Sequence, residues 1–251
     1  MRTNAVFFAI VLAGHSICAH NVHAQIKKST EVGLGLTLTA GNSDTVRANT
    51  GFVAKAQDKR DKLRLGADAN YGKAEGDETI QNASAFVDYR RRSDRWWFAY
   101  VAADVLHDEI AKLDYRLTVG PGIGFYFINR DVVELTVEGG TSYVREEFAN
   151  GDTSDDFVAL RLAEAYTNSL SKRAKIWQTL EYLPDTGDFG KYLLKFELGA
   201  EAPLTDTIAL KLVFRDRFDS EPAPGVKDND IQLISGITYK VKSATKPDIQ
   251  P

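Results

Sequence analysis

Alternation of apolar and polar residues with a period of two runs along nearly the whole chain, and it is the feature that most limits the fold. In one of the clearest segments Leu63, Leu65, Ala67, Ala69 and Tyr71 alternate with Arg64, Gly66, Asp68, Asn70 and Gly72. A period of two places one set of side chains on each face of a β-strand. Counting the weaker runs near 95–106, 157–170 and 174–183, the pattern predicts an all-β chain of about twelve strands.

The connections between these segments alternate in length. Short links are predicted at 58–61, 92–94, 129–131, 171–173 and 205–206, and longer, acidic ones at 73–79, 107–112, 146–156, 184–190 and 219–230. Strands of about 9 to 14 residues suit a tilted crossing of a hydrocarbon layer. Short turns on one rim and long loops on the other are typical of an outer-membrane barrel. We therefore expect a single antiparallel transmembrane β-barrel with both termini in the periplasm.

The amino terminus has the composition of a secretory signal peptide. Arg2 is followed by the apolar run Ala5–Gly14, which is too short to span a bilayer, and Val22-His23-Ala24 precedes Gln25 as a cleavage site. We expect a signal peptide at 1–24 and a barrel domain at 25–251. Cys18 lies in the removed segment, so neither a disulfide nor a lipid anchor is expected.

Few residues suggest chemistry. His107 is the only histidine beyond the signal peptide, and Asp104 and Asp108 lie near it, but no serine can be named as its partner. Gly120, Gly122 and Gly124 lie within an alternating run, where glycines give curvature or make room for bulky neighbours. The acidic loop residues Glu146 to Asp156 lack the spacing of a calcium loop. We expect no enzyme, no cofactor, no metal site and no nucleic-acid partner.

The polar face defines the candidate site, because in a barrel it lines the lumen. Both charge signs are interspersed there, and the predicted lumen-lining residues are Arg47, Arg64, Asp68, Asp88, Arg90, Asp104, Arg116, Glu134, Glu138, Lys195, Glu197, Lys211 and Arg215.

Three interpretations of this face stay open. The charges close the lumen as ion pairs, in which Arg47, Arg64 and Arg116 pair with Asp68, Asp88 or Glu138. Alternatively, they line a narrow pore for ions or small solutes. In the third interpretation the chain is a soluble periplasmic β protein with its apolar face packed inside.

Several stretches also resemble the YdiY-like proteins, which are named as salt-induced outer-membrane proteins and form a family of unknown function, domain of unknown function 481. The resemblance rests on Leu36–Asp44, Leu113–Gly124, Asp188–Tyr192, Pro203–Asp206 and Ser220–Val226. It implies an outer-membrane barrel in a Gram-negative envelope, with the bilayer and the barrel-assembly machinery as partners. It implies no ligand and no catalytic residue.

The last predicted strand, Asp230–Val241, is followed by residues 242–251 and does not end the chain with an aromatic residue. We therefore expect an assembly signal inside the chain.

Overall fold

Twelve antiparallel strands close into one barrel in a computed structural model, which describes residues 27–39, 45–149, 154–171 and 174–241. The strands are β1 Lys27–Thr39, β2 Thr45–Gln57, β3 Asp61–Ala74, β4 Asp77–Arg92, β5 Trp97–Asp108, β6 Leu113–Asn129, β7 Val133–Phe148, β8 Ser154–Ser171, β9 Ala174–Pro184, β10 Tyr192–Pro203, β11 Ile208–Asp219 and β12 Asn229–Val241. Each strand pairs with its neighbours in sequence, and β1 pairs with β12 to close the wall. The predicted fold class and strand number are confirmed.

Contacts between strands that are not neighbours identify the inner face. Arg215 of β11 lies 3.2 Å from Asp68 of β3, and Lys195 of β10 lies 3.2 Å from Asp104 of β5. Strands so far apart in the wall can meet only through the lumen. The polar side of the alternation therefore faces inward.

The apolar side of the alternation faces outward. Exposed side chains on this face include Leu34, Phe52, Val101, Phe125 and Leu233. A soluble monomer rarely exposes a contiguous apolar area of this extent, whereas a lipid-facing wall requires one. The interpretation as a soluble protein with its apolar face inside is therefore wrong, and the barrel is a transmembrane one.

Aromatic side chains lie near both ends of the outer wall. Tyr71 and Tyr143 lie near the ends of their strands on the long-loop side, and Tyr89, Trp97 and Tyr239 lie near the short-turn side. Amphipathic rings favour the two membrane interfaces, where one side is apolar and the other is hydrated.

The turn between β3 and β4 differs from the prediction. Residues 73–79 were expected to form a long loop, but β3 continues to Ala74 and β4 begins at Asp77. Glu75 and Gly76 both have positive φ, 53° and 93°. Positive φ at both central positions is the geometry of a type I′ hairpin turn, which matches the twist of the flanking strands. Two residues are therefore enough for this connection.

Two of the other predicted long loops are shorter than expected. They span 109–112 and 220–228, because the flanking strands extend into the ranges assigned to loops. The third, 185–191, has the length of the predicted loop 184–190 and is shifted by one residue. The loop between β7 and β8 includes residues 150–153, and residues 1–26, 40–44, 172–173 and 242–251 also lie outside the described residues. The signal peptide predicted at 1–24 therefore remains an expectation from the sequence alone. The residues after Val241 also lie outside the described part of the chain.

The short turn between β2 and β3 is organised by one carboxylate outside the membrane. Asp58 accepts hydrogen bonds of 2.7 Å from the backbone N–H groups of both Asp61 and Arg60. These two donors hold the pKa of Asp58 below its ordinary value of 3.8.

Within the described part of the chain, no helix is long and apolar enough to cross a membrane.

Candidate functional site

A chain of ion pairs crosses the lumen and joins strands from several parts of the wall. Lys195 of β10 lies 3.2 Å from Asp104 of β5 and 3.1 Å from Glu181 of β9. Arg161 of β8 continues the chain, with its Nε 2.7 Å from Glu181 and its Nη1 2.8 Å from Glu138 of β7. Each cation is thus held between two carboxylates, which leaves neither charge unpaired.

Arg90 of β4 ends this chain, on the strand next to β5, which carries Asp104. Its Nη1 lies 2.9 Å from Glu138, and its Nε donates to Asp88 at 2.8 Å. The guanidinium also lies over the ring of Phe98, 5.1 Å from its centroid. Glu138 is 3 % exposed and contacts two arginines, so it is the carboxylate on which the chain most depends. We call this set of side chains, from Asp104 to Asp88, the cross-lumen chain.

A second network lies beside the first. Arg215 of β11 lies 3.2 Å from both Asp68 and Glu197, and the indole Nε1 of Trp177 donates to Glu197 at 2.9 Å. Ser84 donates to Asp68 at 2.8 Å. Strands β3, β4, β9, β10 and β11 are joined by these contacts.

Apolar side chains fill part of the lumen toward the long-loop side. Val144, Phe157, Ala159, Leu183 and Leu193 form a buried cluster on β7 to β10. These residues occupy inward positions of their strands, so they fill space that water would otherwise enter. Such packing removes the aqueous path locally.

Arg116 of β6 lies buried toward the same end and is held by two carboxylates. It forms ion pairs with Glu146 of β7 and Asp219 of β11. Above it, the loop 220–228 contributes the buried Ala223, and Lys112 donates to the carbonyl oxygen of Pro224 at 3.0 Å. Two loops on opposite parts of the rim therefore meet over the lumen.

The lumen also contains a cavity of about 440 Å³ that reaches toward the short-turn side. Arg64, Lys211 and Trp177 are among its lining residues. Arg64 lies over the ring of Phe86 and Lys211 lies over the ring of Trp177. Among the described residues, no carboxylate lies within 4.0 Å of the charged group of either cation. The cavity therefore carries positive charge that the protein does not neutralise by contact.

Several predicted pairings are wrong. Arg116 pairs with Glu146 and Asp219, and neither was among the expected partners. Asp68, one of the carboxylates expected to pair with Arg47, Arg64 or Arg116, pairs instead with Arg215 across the lumen. Within residues 27–39, 45–149, 154–171 and 174–241, Arg47 and Arg64 have no ion pair.

The remaining predicted lumen residues have looser contacts. Glu134 lies 3.9 Å from Lys62, and Arg47 is exposed on β2 near the long-loop side. Arg161, Glu181, Glu146 and Asp219 were not predicted, although all four take part in central contacts. Glu146 and Asp219 had been assigned to loops, and the alternation around Arg161 was weak because Glu164 lies on the apolar face. Glu164 accepts a hydrogen bond of 3.0 Å from Gln178 there.

His107 lies on the outer face of β5, and its side chain is 44 % exposed. Its Nδ1 lies 2.8 Å from the backbone oxygen of Asp114, and its Nε2 lies 3.9 Å from Glu109. Asp104 and Asp108 occupy inward positions on the same strand, so they point away from the imidazole. In the described part of the chain, no group of three or more His, Cys, Asp or Glu side chains is placed to bind a metal ion.

Comparison with solved structures finds barrels of low sequence identity. The NanC porin covers 84 % of this chain and 96 % of its own, with a TM-score of 0.48 and 10 % identity. The translocator domain of the autotransporter NalP from Neisseria meningitidis covers 88 % and 89 %, with a TM-score of 0.45 and 12 % identity. An anion-selective porin from Comamonas acidovorans covers 87 % and 100 %, with a TM-score of 0.41 and 9 % identity. These similarities describe the barrel and assign no ligand to this chain.

A comparison with curated proteins gives no match. The model of the family described as "Protein of unknown function, DUF481" matches residues 32–241, which span all twelve strands except the first residues of β1. The chain therefore belongs to the DUF481 family.

Proposed function

We propose that this protein is an outer-membrane β-barrel whose lumen is closed by its own side chains, and that its role in the envelope is structural and not that of a diffusion pore. The observation that carries this proposal is the cross-lumen chain, in which Glu138 contacts both Arg90 and Arg161. A water-filled pore needs charges that stay hydrated along a continuous path. Side chains paired across the lumen obstruct such a path.

Two further observations support a closed lumen. The apolar cluster around Phe157 and Leu183 lies toward the long-loop side, and the loop 220–228 lies over Arg116. Each blocks a different level of the same passage. Purified protein reconstituted in a planar bilayer is the test, because a closed barrel gives no conductance steps.

A narrow pore for ions or small solutes is the second candidate, and the cavity of about 440 Å³ favours it. A rearrangement that separates Glu138 from one of its arginines would extend this cavity toward the long-loop side. Under this alternative, neutralising Arg64 would shift the ion selectivity of an existing current toward cations.

Export and assembly are part of the proposal. Residues 1–24 would direct the chain across the inner membrane and be removed, and the barrel-assembly machinery would insert the mature chain into the outer membrane. Co-fractionation with outer-membrane markers tests this location. The resemblance to proteins named as salt-induced supports a role in the response of the envelope to stress.

No enzymatic activity is included in the proposal. His107 faces away from the lumenal carboxylates, and its imidazole contacts a backbone oxygen and a distant glutamate. A general base needs a nucleophile within hydrogen-bond reach.

A further inference from the structure

Among the strand pairs of the barrel wall, β1 and β12 form the shortest ladder that the described residues show, and we call their junction the seam. Among the described residues, the pairing of these strands runs only from Thr30–Val241 to Leu34–Ile237. In contrast, β1 pairs with β2 from Lys27–Gln57 to Thr39–Thr45, and β11 pairs with β12 up to Phe218–Asn229. The upper parts of β1 and β12 are therefore each paired on one side only.

The two strands approach each other closely where this ladder ends. A Cβ atom on Gly35 would lie 2.3 Å from the backbone oxygen of Ser235, and one on Gly236 would lie 2.6 Å from that of Leu34. Gly35 occupies an inward position of β1, so the Ser235 carbonyl lies on the lumenal side of β1. The Nδ2 atom of Asn49 donates a hydrogen bond of 3.5 Å to the same oxygen. Among the described residues, no other side chain donates to it.

On the long-loop side of Leu34, the described residues of β1 and β12 therefore lie close together without forming ladder pairs. Within a membrane, backbone groups without partners are costly, so closed barrels normally pair every strand along its length. A segment that lacks these bonds opens at a lower free energy than the rest of the wall. The seam is thus the place where the lumen and the lipid phase can be connected.

The lumenal cavity reaches this seam from the inside. Leu34, Gly236 and Ile237 are among its lining residues, together with Arg64 and Lys211. On the outer wall, a shallow depression lies beside the same seam and is floored by the small residues Ala48, Thr50, Ala69 and Ala83. Leu34, Asn49, Thr50 and Asn70 border both spaces.

The charge of the cavity indicates what could occupy it. The Nε atom of Arg64 is buried without a hydrogen-bond partner, and Lys211 has no carboxylate within 4.0 Å among the described residues. A buried donor without a partner is costly, and an anionic acceptor would remove that cost. An alkyl chain would suit the outer depression, because its floor is apolar and made of small side chains.

We propose that the β1–β12 seam is a lateral gate through which an anionic amphiphile moves between the lipid phase and the lumenal cavity, its headgroup at Arg64 and Lys211 and its alkyl chain in the outer depression. This inference rests on the proposed function, a membrane-inserted barrel without a continuous aqueous path.

Fluorescence quenching in lipid vesicles tests the gate. In a Trp96→Phe, Trp97→Phe and Cys18→Ser background, Trp177 is the only tryptophan, and it lies in the cavity beside Lys211. The probe is 2-bromohexadecanoate, an anionic amphiphile whose bromine lies next to its carboxylate. Bromoacetate, which carries the same head without the chain, reports access from water.

A disulfide across the seam tests the route. Leu34→Cys with Ile237→Cys joins directly opposed outward residues at the end of the β1–β12 ladder. The matched control, Ala54→Cys with Leu65→Cys, joins an equivalent pair on β2 and β3, where the ladder is complete. Heat-modifiable migration of each variant shows that it is folded and inserted.

The gate predicts that 2-bromohexadecanoate quenches Trp177 in the unstapled protein and in the control, and that the seam disulfide slows this quenching about tenfold or more. Arg64→Gln should weaken the quenching about tenfold, since it removes one charge-assisted contact, and Arg64→Lys should retain most of it.

Equal quenching with and without the seam disulfide would overturn the lateral route. Equal quenching by bromoacetate would overturn the lipid source. Loss of heat-modifiable migration in the unstapled protein would contradict the membrane barrel itself.

Discussion

Glu138 and Arg161 form an ion pair of 2.8 Å across the β7–β8 ladder, with the carboxylate 3 % exposed and bound to Arg90 on its other side. Glu138 thus contacts two cations in the middle of the lumen, and each of them has a second carboxylate partner, Asp88 for Arg90 and Glu181 for Arg161. Removing the charge of Glu138 would weaken both of its contacts in a poorly hydrated space.

Glu138→Gln is therefore expected to destabilise the barrel by about 3 kcal/mol, because it weakens two buried charge-assisted hydrogen bonds, each worth roughly 1.5 to 3 kcal/mol. Urea unfolding in detergent or vesicles measures this loss. The matched control is Glu134→Gln on the same strand, where the partner Lys62 is 3.9 Å away and the pair is more exposed. That change should cost less than about 1 kcal/mol. Equal effects at both positions would contradict the central role of Glu138.

Gly124 makes room for an aromatic ring inside the lumen. A Cβ atom there would lie 2.3 Å from Cζ of Phe98, so Gly124→Ala should destabilise the barrel by roughly 1 to 3 kcal/mol through overpacking. Gly139→Ala is the control, because a Cβ at Gly139 would meet no atom within 4 Å. It should leave the unfolding midpoint nearly unchanged. A comparable loss from both substitutions would show that backbone freedom, and not the Phe98 ring, requires glycine.

The turn carboxylate Asp58 should give a pH-dependent contribution to stability. Its pKa is lowered in the folded state by the N–H groups of Asp61 and Arg60. Its contribution is therefore present at pH above the ordinary value of 3.8 and is lost as the pH falls through the lower folded pKa. Urea unfolding of wild type and Asp58→Ala should differ at pH 7 and converge near pH 2. A difference that persists at pH 2 would indicate another cause.

His107→Ala should leave folding and every measurable activity intact. The imidazole lies on the outer wall, and its one close contact is the backbone oxygen of Asp114. Heat-modifiable migration and assays of lipid and peptide hydrolysis are the measurements. If this variant stayed folded but lost a hydrolytic activity that the wild type has, the result would show that the protein is an enzyme and that His107 takes part in its reaction.

Where the alternation of residues was clear, it predicted the strands and the face on which their side chains lie, because successive side chains of a strand point to opposite faces. It did not predict which charges meet. Asp68 and Arg215 lie on β3 and β11, and their contact depends on the stagger of strands that are far apart in sequence. That stagger is a property of the closed barrel, so a prediction based on faces alone could not tell which of the expected carboxylates would meet which arginine.

Where the strand pattern itself was weak, functional residues were missed. Glu164 on the lipid-facing side of β8 interrupts the alternation, and it hid the inward position of Arg161 three residues earlier. Glu146 and Asp219 were assigned to loops because acidic residues near a strand end resemble loop composition. In the structure β7 continues to Phe148 and β11 to Asp219, so both carboxylates lie on strands. There they form ion pairs with Arg116.

Conductance of the purified protein in a planar bilayer tests the closed lumen most directly. The account predicts no discrete current steps from folded wild-type protein, because the cross-lumen chain and the apolar cluster block the path. Glu138→Gln, which separates part of that chain, should create a small leak or lower stability without altering a pre-existing current. Regular conductance steps from the wild-type protein, with a selectivity that Arg64→Gln shifts toward cations, would contradict the closed barrel and establish a pore.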